Sequence, residues 1–224
     1  LKSSNEKLIL HGVSGKIIKA ITKNQSSLVS LSESNDLVFA IGPAGTGKTY
    51  TAIAIAVKAL KENKVRKIIL TKPAIEAGEN LGFLPGDLKE KLDPYIQPLY
   101  DSLYEMIPSN KLSAHIRDKT IEIAPLAYMR GRTLDEAFVI LDEAQNTTKA
   151  QMKMFLTRMG RNAKFIITGD PGQIDLPAGI KSGLKEALII LKKIKNISVV
   201  KFNDTDIIRH PLVKKIIKAY GVNK

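Results

Sequence analysis

The chain has 224 residues, of which 44% are hydrophobic and 25% charged, the balance of a globular protein with a sizeable core and a length that suits one large α/β domain rather than two. It holds 35 Lys and Arg against 22 Asp and Glu, a net charge of +13, so its surface should attract polyanions, nucleic acid first among them. The lack of cysteine excludes disulfides, thiolate catalysis and cysteine-based zinc sites and fits a cytoplasmic setting, while no apolar stretch reaches the ~18–20 residues of a membrane span, so no membrane partner is expected.

Residues 1–35 read as a polar lead-in. The chain begins at Leu1 rather than Met, so residues upstream are expected to be missing. Lys16-Ile17-Ile18 forms a short apolar island, and a β-turn region leads to a short helix near Asn24 to Ser32. Strand-like runs then recur at Leu37–Ile41, Lys67–Thr71, Thr120–Ala124, Ala137–Leu141, Lys164–Thr168 and Ile197–Phe202, with helical patterns between most of them. Alternation of this kind predicts an α/β fold with a mostly parallel sheet covered by helices on both faces. Phe138-Val139-Ile140-Leu141 is continuously apolar, as a strand buried on both faces must be.

The stretch 72–119 is an irregular insertion carrying Pro73, Pro85, Pro94, Pro98 and Pro108. It is expected to hold one helix from about Asp87 and another before Met106. At the C-terminus, Leu212, Val213, Ile216, Ile217 and Tyr220 lie at helical spacing, with Gly221 as C-cap, and predict an amphipathic packing helix.

Between the first of these strands and the next helix stands Gly42-Pro43-Ala44-Gly45-Thr46-Gly47-Lys48-Thr49, followed by Tyr50. Strand, glycine-rich loop and helix in that order are the context of a P-loop. The glycines let successive backbone N–H groups approach phosphate oxygens at the positive end of the helix. Lys48 can reach the β- and γ-phosphates of a nucleoside triphosphate, and the Thr49 hydroxyl can ligate Mg²⁺. Residues Gly42 to Tyr50 are therefore the expected nucleotide-binding run.

Asp142 and Glu143 follow the run Val139-Ile140-Leu141, where a carboxylate at the end of a buried parallel strand faces the ligand-binding edge of the sheet. There Asp142 can hold the Mg²⁺ with Thr49, and Glu143 can act as general base toward a water in line with the γ-phosphate. One strand later, Gly169-Asp170-Pro171-Gly172-Gln173 makes a sharp turn from which Gln173 can meet the γ-phosphate or that water. His11, His115 and His210 have no partners at metal-ligand spacing, so Mg²⁺ is the one metal implied.

Together these residues resemble the PhoH-like, phosphate-starvation-inducible P-loop ATPases, relatives of the first motor domain of superfamily 1 helicases. The resemblance also rests on Lys72-Pro73-Ala74-Ile75-Glu76-Ala77-Gly78-Glu79, Leu81-Gly82-Phe83-Leu84-Pro85-Gly86-Asp87, Met129-Arg130-Gly131-Arg132-Thr133-Leu134, Leu141-Asp142-Glu143-Ala144-Gln145-Asn146 and Thr168-Gly169-Asp170 through Gln173-Ile174-Asp175-Leu176-Pro177. It implies a RecA-like three-layer sandwich spanning 1–224, ATP and Mg²⁺ as cofactors, ATP hydrolysis, association with RNA or other single-stranded nucleic acid, and a homo-oligomer such as a hexameric ring. Carried onto this chain, Gln25 resembles the adenine-reading glutamine that precedes the P-loop in related helicases, the alternative being a loop glutamine in solvent. Arg130 and Arg132 either contact phosphates or are loop cations without a partner. Arg209 is the candidate arginine finger, supplied by a neighbouring subunit or folded back within its own.

Two other classes compete with this reading. In a phosphotransferase the 72–119 insertion would hold an acceptor in place of water, although Glu143 after Asp142 argues against it. In a nucleotide-switched binding module, ATP would serve mainly to order an oligomer.

Overall fold

The computed structural model describes residues 7–73, 88–208 and 212. Eight strands, β1 (Lys7–His11), β2 (Ile17–Ala20), β3 (Leu37–Ile41), β4 (Lys67–Lys72), β5 (Ile121–Pro125), β6 (Ala137–Leu141), β7 (Lys164–Gly169) and β8 (Ile197–Lys201), fall into two sheets among these residues. The main sheet has six strands in the order β5-β4-β6-β7-β3-β8. Every neighbouring pair in it is parallel.

The five residues of β3 and the five of β6 are all buried, which explains their unbroken apolar character. Their side chains still alternate between two cores. Val38, Ala40, Ile68, Leu70, Phe138, Ile140 and Ile166 enter one; Leu37, Phe39, Ile41, Ile69, Val139, Leu141 and Ile167 enter the other. The first core is covered by α1 (Lys23–Ser34), α2 (Lys48–Lys61), α3 (Leu88–Met106) and α4 (Ser109–Arg117), and the second by α5 (Lys149–Leu156) and α6 (Gly183–Ile190). The result is the expected three-layer α/β sandwich. Helix α2 is buried from Thr51 through Val57, and its small Ala52, Ala54 and Ala56 let it lie close to the sheet.

The structure departs from the sequence expectation at two places. The lead-in is an antiparallel β1–β2 hairpin with a bulge between Leu8 and Leu10; Ile9, Leu10, Ile18 and Ala20 bury themselves in the first core, which gives the short apolar island its partner. The second half of the insertion is one helix, α3, running through Pro94 and Pro98. Each proline removes a ladder donor, but Leu99, Leu103 and Met106 present one buried stripe whose burial outweighs that loss. Helix α4 then starts after Pro108. The expected C-terminal helix lies, apart from Leu212, outside the described residues, as do motif residues 74–87. No helix among the described residues is long and apolar enough to cross a membrane.

Candidate active site

The order β6-β7-β3 sets the ends of three strands side by side, so the loops that follow them converge on one crevice at the C-terminal edge. After β3 the chain turns through Gly42, Gly45 and Gly47 at φ of 146°, 77° and 78°, values that side-chain-bearing residues resist. A Cβ at Gly42 would also run into the Phe202 carbonyl oxygen. The loop is braced by Gly42 N–H donating to Gly169 O at 3.1 Å and by Thr46 Oγ1 donating to Pro43 O at 2.9 Å.

Lys48 opens α2 and is only 9% exposed. Its Nζ donates to Gly42 O and Pro43 O, each at 2.7 Å, which holds the ammonium over its own loop. Burial pushes its pKa down, while the negative charges of Asp170, Glu143 and Asp142 work in the opposite direction.

The next residue, Thr49, donates Oγ1 to Asp142 Oδ1 at 2.7 Å. Thr168, on β7, donates its hydroxyl to the same oxygen at 2.6 Å. Residues from α2 and β7 thus meet the carboxylate that follows β6. Glu143 sits in the left-handed region at φ 53°, and its Oε2 accepts from Gln145 Nε2 at 2.6 Å. Gln145 Oε1 in turn accepts from Asp170 N at 3.0 Å.

A cavity of about 240 Å³ is lined by Gly45, Gly47, Lys48, Thr49, Tyr50, Asp142, Glu143, Asp170 and Gln173, among others. Three carboxylates there face one ammonium, a donor set that would repel a polyphosphate unless a divalent cation came with it. The hard oxygens of Thr49 and Asp142 suit Mg²⁺. Among the described residues, no group of three or more His, Cys, Asp and Glu could hold a metal by itself.

Gln25 stands at the rim, 3% exposed. Its Oε1 accepts from Ile21 N at 2.9 Å and its Nε2 donates to Thr46 O at 3.0 Å. It is not a glutamine in solvent: these two bonds tie α1 to the loop and leave one amide N–H and one oxygen lone pair of the carboxamide uncommitted by them. Tyr50 OH donates to Glu105 Oε2 at 2.7 Å, and burial first, then that hydrogen bond, raises the phenol pKa well above its ordinary value. Arg132 is not a partnerless cation: NH1 and NH2 donate to Glu122 Oε1 and Oε2, both at 2.7 Å. Arg130 is exposed. Arg209 lies outside the described residues. The segment before it is pinned to the site by Ile208 N donating to Gly45 O at 3.0 Å and by buried Asp206, whose Oδ2 accepts from Asn24 Nδ2 at 2.7 Å.

Gln145, Thr168 and Glu105 carry no assigned role in the sequence reading. Gln145 and Thr168 had a local signal, the one two residues after Glu143 and the other at the head of the Thr168-Gly169-Asp170 run.

A family model described as PhoH-like protein matches residues 17–221. A PhoH-like protein of Bacillus subtilis is 59% identical over 219 residues, covering 98% of this chain and 69% of that protein. A PhoH-like protein of Mycobacterium tuberculosis is 55% identical over 207 residues, covering 92% and 59%, and Protein PhoH of Escherichia coli is 46% identical over 205 residues, covering 90% and 58%. The chain therefore spans between 58% and 69% of the length of these relatives. Among solved structures, a crystal structure of the DUF1998 helicase MrfA bound to DNA is similar with a TM-score of 0.50 at 14% identity, over 87% of this chain and 27% of that one. That likeness is one of fold.

Proposed function

The chain belongs to the PhoH-like family, and from that premise together with the site geometry we propose that it binds ATP at Gly42–Tyr50 and hydrolyses the β–γ phosphoanhydride in a Mg²⁺-dependent reaction. One observation carries the reading: Thr49 Oγ1 meets Asp142 Oδ1 at 2.7 Å, with Lys48 and Glu143 lining the same cavity. Contact between the loop hydroxyl and the strand-end carboxylate brings together the two halves of a triphosphate site that the sequence separates by 93 positions.

In this reading the backbone of Gly45 to Thr49 cradles the phosphates, and Lys48 exchanges its two carbonyl partners for β- and γ-phosphate oxygens. Thr49 and Asp142 would hold Mg²⁺, which when bound neutralises charge on the phosphates. Glu143, steadied by Gln145, takes a proton from the attacking water. Gln173, which lines the same cavity, meets the γ-phosphate. Arg209, supplied by the same or a neighbouring subunit, meets the charge that develops as the phosphoryl group leaves.

Coupling to RNA or another single strand belongs to the same proposal. It is supported by the net charge of +13 and by Tyr128, 56% exposed, close to exposed Arg130 after β5, a pairing suited to base stacking and phosphate contact. A homo-oligomer in which one subunit supplies Arg209 to the crevice of the next completes it.

Phosphate release measured with and without single-stranded RNA, in wild type and Glu143→Gln, tests the reading. Mg²⁺-dependent release that RNA stimulates, and that the variant loses by roughly 10²- to 10⁴-fold, is the expected result. Full activity in the variant, or phosphate appearing on another acceptor, would overturn it. For the finger, mixing Arg209→Ala with Lys48→Ala chains should restore activity if the arginine acts between subunits; no recovery would assign it to its own.

A further inference from the structure

A second cavity lies at the far end of helix α2. Its volume is about 750 Å³, inside the ~300–1,000 Å³ range of small-molecule sites and about three times that of the crevice at Lys48. Leu60, part-exposed, and Pro108, exposed, form an apolar floor over the buried Val57, Val65, Met106 and Ile107. The rim is basic, with Lys61, Arg66, Lys111 and His115, and among the described residues no Asp or Glu lines the cavity.

The cations are not equivalent. Arg66 Nε pairs with Glu136 Oε2 at 2.9 Å, whereas no ion pair to Lys61 or Lys111 is present among the described residues. Lys61 Nζ is anchored by donating to His11 O at 3.0 Å and Met106 O at 3.1 Å, which fixes an ammonium at the mouth. Burial, and after it the charge of neighbouring Lys111, lowers the Lys61 pKa. Lys61 and Lys111 thus line one cavity with an apolar floor, and among the described residues no carboxylate lines it with them. An anion relieves that repulsion, and an apolar body attached to the anion fills the floor.

We propose that this cavity is a second binding site, one that takes a small phosphorylated molecule with an aromatic body, of the nucleoside monophosphate class, with its phosphate between Lys61 and Lys111 and its ring on the floor. Lys61 ends the helix that Lys48 begins, placing the two sites about 20 Å apart at ~1.5 Å per residue, so both can be filled together.

The test is calorimetric titration of AMP into the full chain whose P-loop is saturated with a non-hydrolysable ATP analogue and Mg²⁺. One further equivalent of AMP should bind. Lys111→Glu, on the exposed side of α4, should weaken it by at least about tenfold while leaving the analogue's affinity within about twofold, and Lys111→Arg should restore it. The Lys48→Ala chain, with its P-loop disabled, should bind AMP at the same site with the same sensitivity to Lys111→Glu, which separates this proposal from the reading of the P-loop. Inorganic phosphate should bind far more weakly than AMP. The proposal falls if AMP does not bind beside the analogue, if Lys111→Glu binds it unchanged, if inorganic phosphate binds as tightly, or if only a single-stranded RNA oligomer occupies the cavity.

Discussion

Gln145 works with both ends of its carboxamide from a position that is 1% exposed. The amide nitrogen reaches Glu143 Oε2 at 2.6 Å, and the amide oxygen takes the Asp170 N–H at 3.0 Å. Its backbone oxygen accepts from Ser182 Oγ at 2.7 Å. Glu143 needs such support, because a left-handed backbone at a residue with a side chain is held only by its surroundings. Gln145→Ala should therefore lower kcat by about 10²-fold, the loss expected when a reacting group drifts by about 1 Å, and leave triphosphate affinity within a fewfold of wild type. Steady-state phosphate release paired with nucleotide titration would show it; unchanged kcat would detach Gln145 from the base. Gln25 makes the contrasting case. Since its amide braces the loop through Ile21 N and Thr46 O, Gln25→Ala should weaken ATP and GTP to the same degree. A selective loss of ATP would return the adenine-reading role to it.

At the scale of elements, what could be read in advance depended on whether the signal was contiguous. Strands β3 and β6 announce themselves because burial on both faces makes every position apolar. The β1–β2 hairpin does not, because the bulge between Leu8 and Leu10 breaks the alternation and its partner core lies on distant helices. Prolines at 94 and 98 split α3 on paper, since a proline's lost donor is local information while the stripe of Leu99, Leu103 and Met106 acquires meaning only against the sheet. The site divides in the same way. Gly42–Thr49 and Asp142–Glu143 are contiguous runs, whereas Thr168 reaches Asp142 across 26 positions and Glu105 reaches Tyr50 across 55. One contiguous signal also conceals a tertiary demand: Gly42 meets Phe202, which follows β8. Gly42→Ala should then lose more than about 2 kcal/mol, from its φ of 146° together with that clash. Gly131→Ala, at φ 75° with open space around it, should lose only about 1 kcal/mol. Urea unfolding of the two variants separates backbone strain from collision, and equal losses would remove Phe202 from the argument.

Across the whole molecule, a single carboxylate joins the hairpin, α2 and α3. Glu105 Oε2 accepts from Lys16 Nζ at 2.6 Å and from Tyr50 OH at 2.7 Å, so the wall of the crevice at Lys48 is tied to the N-terminal lead-in through the helix between them. The hydrogen bond from Lys16 first, and that from Tyr50 second, holds the Glu105 pKa below its ordinary value. A carboxylate with a depressed folded pKa contributes stability above its unfolded value, about 4.3, and loses it as pH falls through the folded one. Tyr50 bounds the other side: its raised phenol pKa means a contribution present below about pH 10 and lost as pH rises through the higher folded value. Because Glu105 and Lys16 are substantially exposed, solvent screening keeps the effect small. Glu105→Gln should cost about 0.5–1 kcal/mol near pH 7, and its difference from wild type should close progressively once the pH drops below about 4.3. Tyr50→Phe should leave that acid-side closure partly intact through Lys16, while removing the loss of stability at alkaline pH. Denaturant unfolding of the three proteins from pH 3 to pH 11 measures both arms. A Glu105→Gln difference that stays constant into acid would mean that the link between hairpin, α3 and the crevice at Lys48 is carried by packing alone.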